Sequence, residues 1–216
     1  MNAKEVVKLI ADEGVEYVDI RFTDPRGKLQ HVTVIVDEVD EDFLEEGFMF
    51  DGSSIAGWKS IEQSDMKLMP DTSSVYMDPF YAEKTLAVHC SVVEPDTGES
   101  YDRDPRSTAE KAEAYLIATG IGDQSFWGPE AEFFLFDDVR FSNTINKVSY
   151  EVDAVDASWN TDTEYEMGNS GHRPGIKGGY FPVNPTDAAQ DLRSEMLSTM
   201  KRMGMKVDKH HHEVAS

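Results

Sequence analysis

Apolar positions change period along the chain, and each change marks an element. Asn2-Ala3-Lys4-Glu5 sets a capping residue three positions ahead of a glutamate, and Val6, Val7, Leu9 and Ile10 follow at helical spacing. This predicts a short amphipathic helix ending near Gly14. Val15 to Phe22 and Leu29 to Val36 are rich in branched and aromatic residues, and Thr23-Asp24-Pro25-Arg26-Gly27-Lys28 between them has turn chemistry, so the pair reads as a hairpin. Asp37 to Glu46 sets seven acids around Val39, Phe43 and Leu44, the pattern of a short helix with a solvated face. Strand-like pieces recur at Met66 to Met69, Ser74 to Met77 and Thr85 to Val93. The first hundred residues therefore read as a small mixed sheet with one or two helices. Pro95-Asp96-Thr97-Gly98 breaks the pattern and places a domain boundary at about residue 100, giving domains 1–100 and 101–216.

Beyond it, Ser107 to Thr119 is alanine-rich and helical up to Gly120. Ser125 to Asp138 then carries Phe126, Trp127, Phe133, Phe134, Leu135 and Phe136 and reads as a buried strand. Residues two apart in a strand share a face, so Glu130 and Glu132 are expected side by side. Helix followed by strand indicates an α+β layer. Val139 to Gly171 is polar and weakly periodic and reads as a long functional loop or a surface excursion. Asp187 with Gln190 suggests a capping box, after which Leu192, Met196, Met200 and Met203 trace a core-facing stripe of a helix closing at Gly204. Over the last residues, strand alternation would set His211 and Glu213 on one face and Asp208, His210 and His212 on the other.

Composition narrows the choice of partner. Hydrophobic residues make up 39% of the 216, enough for a real core, and no run approaches a membrane span. Met1 to Glu5 lacks signal-peptide features, so a non-exported, cytoplasmic protein is expected. Cys90 is the single cysteine; its apolar neighbours mark it as a packed thiol, and a reducing compartment suits it. Twenty basic against 42 acidic residues give a formal charge of −22, which argues against nucleic acid or an anionic membrane as partner and favours a small ligand or a metal.

Three stretches carry candidate chemistry. Glu130 and Glu132 held together among aromatics would repel unless a cation neutralises them, and magnesium or manganese suits an oxygen-ligand pair. The same spacing also fits an ordinary strand with a wet polar face. Gly47 to Trp58 interrupts an aromatic run with glycines, serines and one acid, Asp51, and reads either as a binding loop or as a polar turn. Gly171 to Pro182 sets four glycines beside Arg173 and Lys177, suited to an anionic ligand, but without the spacing of a phosphate-binding loop.

Taken together, Phe-Asp-Gly-Ser-Ser at 50–54, Tyr-Asp-Arg-Asp-Pro-Arg at 101–106, Gly-Pro-Glu-Ala-Glu-Phe-Phe at 128–134, Gly-Gly-Tyr-Phe at 178–181 and His-His-His-Glu-Val-Ala at 210–215 resemble bacterial type I glutamine synthetase. The resemblance runs over all 216 residues and corresponds to the first half of such a chain. It implies an α+β fold: an N-terminal β-grasp domain, then the start of a catalytic domain with a curved antiparallel sheet and helices. It implies two magnesium or manganese ions, ATP, glutamate and ammonia meeting between neighbouring subunits of a homododecamer, with γ-glutamyl phosphate as intermediate. Carried over by position, Glu130, Glu132 and Glu213 are the expected metal ligands. Asp51 is the expected acid that deprotonates ammonium in an adjoining subunit's site. Tyr180 and His211 are expected to line the glutamate and ammonium pocket, and Asp208 stands where the family usually has a glutamate near the nucleotide. Trp58 reads as packing near a subunit boundary or as a surface aromatic. Two other readings are a γ-glutamyl amine ligase of the same family and a non-catalytic interaction fragment.

Overall fold

The computed structural model describes residues 1–159, 164, 166 and 171–215. It divides into two compact units, Met1–Trp127 and Gly128–Ser216.

In the first unit, helix α1 (Ala3–Glu13) begins with the expected capping box between Asn2 and Glu5 and ends at Gly14 in the left-handed conformation. Strands β1 (Tyr17–Thr23) and β2 (Leu29–Ile35) form the expected hairpin. A short helix α2 (Glu41–Glu46), capped by Asp40, leads into β3 (Phe48–Asp51). Strand β4 (Asp65–Met77) joins the two pieces read separately on either side of Pro70; its register on β5 (Thr85–Val93) shifts between Pro70 and Val75. The bulge accommodates the proline and leaves the pairing intact on both sides. Helix α3 (Pro105–Thr119) packs on β5.

The sheet runs β2-β1-β5-β4-β3, with β1 and β5 parallel and its other pairs antiparallel. Its core is one cluster that includes Val6, Ile10, Val18, Ile20, Leu68 and Val92. Cys90 is fully buried there, and burial pushes its thiol up to about 12, so it is inert as the sequence indicated. Asp19 is also fully buried, on central strand β1, where it accepts hydrogen bonds from Arg21 Nε (2.6 Å) and Thr33 Oγ1 (2.8 Å) and pairs with His31 Nδ1 at 2.6 Å. Arg21 reaches on to Asp78 and to the Tyr76 hydroxyl. A buried charge persists because every member of this network is paired.

The second unit departs from expectation in four places. Val139 to Asp153 is a regular antiparallel hairpin, β6 (Asp138–Thr144) and β7 (Lys147–Asp153), and not a loop. The alternation of Val139 and Phe141, and of Val148, Tyr150 and Val152, carries that signal. Residues 160–163, 165 and 167–170, at the end of the stretch read as a loop, lie outside the described residues.

Second, the Glu130–Glu132 stretch is neither buried nor a regular strand. Its aromatics are exposed: Trp127 keeps 86% of its surface accessible and Phe134 64%. A strand requires a neighbouring backbone, and the described contact is made only at the segment's end, where Asp137 N–H donates to the Asp153 carbonyl at 2.8 Å. The rings of Phe134 and Phe136 nevertheless stack 6.1 Å apart and nearly parallel, the same-side relation of residues two apart in extended chain.

Third, helix α4 (Gln190–Arg202) starts from Ala189 without a side-chain cap, because Asp187 is engaged elsewhere, by the Ala189 N–H and by Arg193. Leu192 and Met196 are exposed and Met200 and Met203 half-buried, so the stripe read as core has no described element over it. Fourth, Met205 to Ala215 forms no regular strand.

Candidate functional site

Asp51 ends β3, where it pairs with Asp65 of β4. Its carboxylate accepts from Ser53 N–H (2.9 Å), Ser53 Oγ (2.6 Å) and Ser54 Oγ (3.4 Å). Those Ser53 bonds hold its pKa below the usual carboxylate range, so an exposed, ionised acid is presented at the start of the loop. Gly52 is required behind it: a Cβ there would meet Met66 Cγ at 2.4 Å. Trp58, at the loop's far end, is a core residue, 5% exposed among Phe22, Phe50 and Tyr101. It is not a surface aromatic, and it anchors the loop that Asp51 opens.

In the second unit the residues after Gly178 and those before Ala215 approach as an antiparallel pair. Gly179 N–H donates to the Val214 carbonyl at 3.3 Å and Phe181 N–H to the His212 carbonyl at 3.4 Å. Glycine is necessary at 179, since a Cβ would stand 2.7 Å from the Glu213 carbonyl and 2.9 Å from the His212 ring. This approach brings Tyr180 and His211 together edge to face, ring centroids 5.5 Å apart, with Phe181 at 4.5 Å from the same histidine. His211 Nδ1–H donates to the His212 carbonyl (3.0 Å), and its Nε2 stands 3.7 Å from Glu213 Oε1. Tyr180, His211 and Glu213, predicted from two separate motifs, therefore form one small polar-aromatic site. Asp208 is exposed and lies 3.7 Å from Lys209 Nζ. Glu130 and Glu132 are exposed on the segment after Gly128.

Three residues beside this site were not singled out from sequence. Phe181 adopts a positive φ of 60°, uncommon for a bulky side chain, and in doing so closes on His211. Arg193 and Ser194 of α4 hold His210. Nothing in their local spacing announces this, because the contact depends on how the chain returns after α4.

Residues 14–95 match the family model described as glutamine synthetase, beta-Grasp domain, and residues 102–216 match that of the glutamine synthetase catalytic domain. These matches define a β-grasp domain joined to catalytic-domain sequence. The glutamine synthetase of Cereibacter sphaeroides is 76% identical over 98% of this chain and 45% of its own length. That of Bradyrhizobium diazoefficiens is 61% identical, and that of Escherichia coli 54%, each over 100% of this chain and 46% of the relative. The chain belongs to the glutamine synthetase family, and it spans about half the length of the curated relatives it matches. The fold matches that of the Plasmodium falciparum glutamine synthetase solved by cryo-electron microscopy, with a TM-score of 0.84 at 24% identity, over 100% of this chain and 43% of that one.

Among the described residues no group of three or more His, Cys, Asp or Glu side chains is gathered as a metal centre. The three carboxylates Glu130, Glu132 and Glu213 have the hard oxygen chemistry that a divalent cation such as magnesium takes, and magnesium completes its shell with water around one or two of them. The donor chemistry fits the ion, and the described structure does not gather the three into one group. No described helix is long and apolar enough to cross a membrane.

Proposed function

We propose that this chain supplies the β-grasp domain and the first part of the catalytic domain of a glutamine synthetase, an ATP-dependent ligase joining glutamate and ammonia through γ-glutamyl phosphate. The observation that carries the reading is the approach of Gly179–Phe181 to His212–Val214, which assembles Tyr180, His211 and Glu213. High identity to curated glutamine synthetases supports it. The functional division is proposed at about residue 100, between the two matched domains, and the working assembly is proposed as a cytoplasmic homododecamer.

Each residue then has a role. Glu130, Glu132 and Glu213 would hold magnesium or manganese, which when bound offsets the charge of the transferring phosphoryl group. Tyr180 and His211 orient glutamate from one side, the ring edge of His211 fixed by its aromatic neighbours. Asp51 serves an adjoining subunit's site. Because the Ser53 bonds keep it ionised, its first contribution is to attract ammonium, and it accepts the proton as nitrogen commits its lone pair to attack. Asp208 contacts the nucleotide, one methylene shorter than the usual glutamate.

The test is a chimera in which these 216 residues replace the corresponding part of the Cereibacter sphaeroides relative. Expected is magnesium-dependent ADP release that needs both glutamate and ammonia, with Glu132→Ala reducing it by more than about a hundredfold. Turnover with short alkylamines but not ammonia would instead establish an amine ligase. Unchanged synthesis by Glu132→Ala would overturn the ligand assignment.

A further inference from the structure

Three consecutive histidines give the chain no register of its own. A slip of one residue, small in backbone terms, would set a different imidazole against Tyr180 and turn Glu213 to the other side. The described contacts show what resists that slip. Each ring has a different set of partners: His210 faces α4, His211 faces Tyr180 and Phe181, and His212 Nε2 lies 3.3 Å from Asp156 Oδ2.

The α4 contact is the most specific of the three. Arg193 Nε–H donates to His210 Nδ1 at 3.2 Å, and the His210 Nε2 lies 3.0 Å from Ser194 Oγ. A guanidinium has donors only and stays charged, so His210 Nδ1 must be the unprotonated acceptor, and Nε2–H is left to donate to the Ser194 hydroxyl. Both ring nitrogens are thereby assigned. Arg193 is itself fixed: its Nη2 donates to Asp187, a carboxylate that is 3% exposed and also accepts the Ala189 N–H at 3.1 Å. Burial alone would raise the Asp187 pKa, but the Arg193 and Ala189 bonds bring it below the usual range, so it remains charged against the guanidinium. The order Asp187 to Arg193 to His210 runs from a buried anchor to the first residue of the histidine run.

We propose that Arg193 is a positioning residue for the glutamate site: through His210 it sets the register of His210–Glu213, and so decides which histidine meets Tyr180. The catalytic consequence rests on the proposed role of His211; the register device itself does not. A lysine at 193 can still neutralise Asp187, but its single ammonium lacks the planar fork that serves Asp187 and His210 together. Arg193→Lys therefore separates register from stability.

In the chimera, Arg193→Lys is expected to raise the KM for glutamate about tenfold while kcat and the thermal midpoint change little, and Ser194→Ala to shift KM in the same direction by less. His211→Asn is the control for the underlying reading. If His211→Asn raises KM while Arg193→Lys and Ser194→Ala leave it at the parental value, the positioning proposal is wrong and the role of His211 stands. If His211→Asn leaves KM unchanged, the role of His211 is wrong, and the anchor is judged on the ring itself. For that, 15N shifts of the histidine rings in the 216-residue chain should show His210 with a bare Nδ1 and a protonated Nε2. A protonated Nδ1 at His210 overturns the anchor, whether or not any variant folds.

Discussion

The carboxylate of Asp104 accepts a hydrogen bond from the Val92 backbone N–H, 3.0 Å away between α3 and β5. The same oxygen takes Ser107 N–H (3.2 Å) and Ser107 Oγ (2.9 Å), and the other oxygen takes Arg106 N–H (3.1 Å). One fully buried side chain thus caps a helix and fastens it to the sheet. Asp104→Ala would leave several buried donors without an acceptor and is expected to cost about 2–4 kcal/mol, with Asp104→Asn costing less. Urea unfolding of the chain and its two variants checks the order; a loss under about 0.5 kcal/mol for the alanine variant would show that water replaces the carboxylate.

Asp19 makes the first unit acid-sensitive. Burial would raise its pKa, but hydrogen bonds from His31, Arg21 and Thr33 outweigh that and leave the folded value below the ordinary aspartate value of about 3.9. Its contribution to stability is therefore complete above that ordinary value and is lost as pH falls towards the folded one. Asp19→Asn is expected to lower the unfolding midpoint at pH 7 and to flatten its decline between about pH 5 and pH 3. Parallel declines in parent and variant would assign the acid sensitivity elsewhere.

The first unit was legible because its rules are local. Asn2 and Glu5 meet three residues apart, and the Pro25–Gly27 turn joins neighbouring strands. The parallel partnership of β1 with β5 was not legible, since no feature of Val18 or Ile20 names Leu86 and Val88 as partners. In the second unit the failures are of two kinds. Phe141 and Tyr150 alternate with serines and charges, so low mean hydropathy hid a period that was present. At Phe133 to Phe136 the composition favours a strand, but composition cannot supply the neighbouring backbone on which a strand depends. Asp187 has cap spacing to Gln190, yet Arg193 competes for the same oxygens, and the charged pair prevails. The two motifs that hold Tyr180, His211 and Glu213 are far apart in sequence, and nothing in either one announces the short antiparallel approach that brings them together.

If Asp51 serves a neighbouring subunit's site, two inactive parents can repair each other. Chimeras carrying Asp51→Ala and Glu132→Ala, mixed under conditions that exchange subunits, should recover up to about a quarter of parental activity, the share of random pairings that join two intact halves. Rings shown to have exchanged and yet as inactive as either parent would place Asp51 in its own subunit's site or outside the reaction.

Expressed alone, the 216 residues are expected to show no synthetase turnover and to self-associate in spite of a charge of −22. Trp127, Phe141 and Tyr150 each expose more than 75% of their surface, and such apolar area seeks cover. Residues 1–100 should remain folded through limited proteolysis. A monodisperse monomer by sedimentation, or turnover within about tenfold of the chimera, would refute the expectation.

The parallel pairing of β1 with β5 also fixes a timetable for synthesis. β1 ends at Thr23 and its central partner begins only at Thr85. While the nascent chain is shorter than that, β1 and β2 have each other but their other edge has no mate, and β3 and β4 pair with each other but with no further strand. The emergence of Leu86 to Val92 from the ribosome tunnel is then the event that converts two separate fragments into one sheet. Closing so long a loop costs entropy before any contact rewards it, which makes this step slow relative to hairpin formation. Sheet order thus makes the arrival of β5, and not the formation of α1 or the first hairpin, the step that completes the five-stranded sheet.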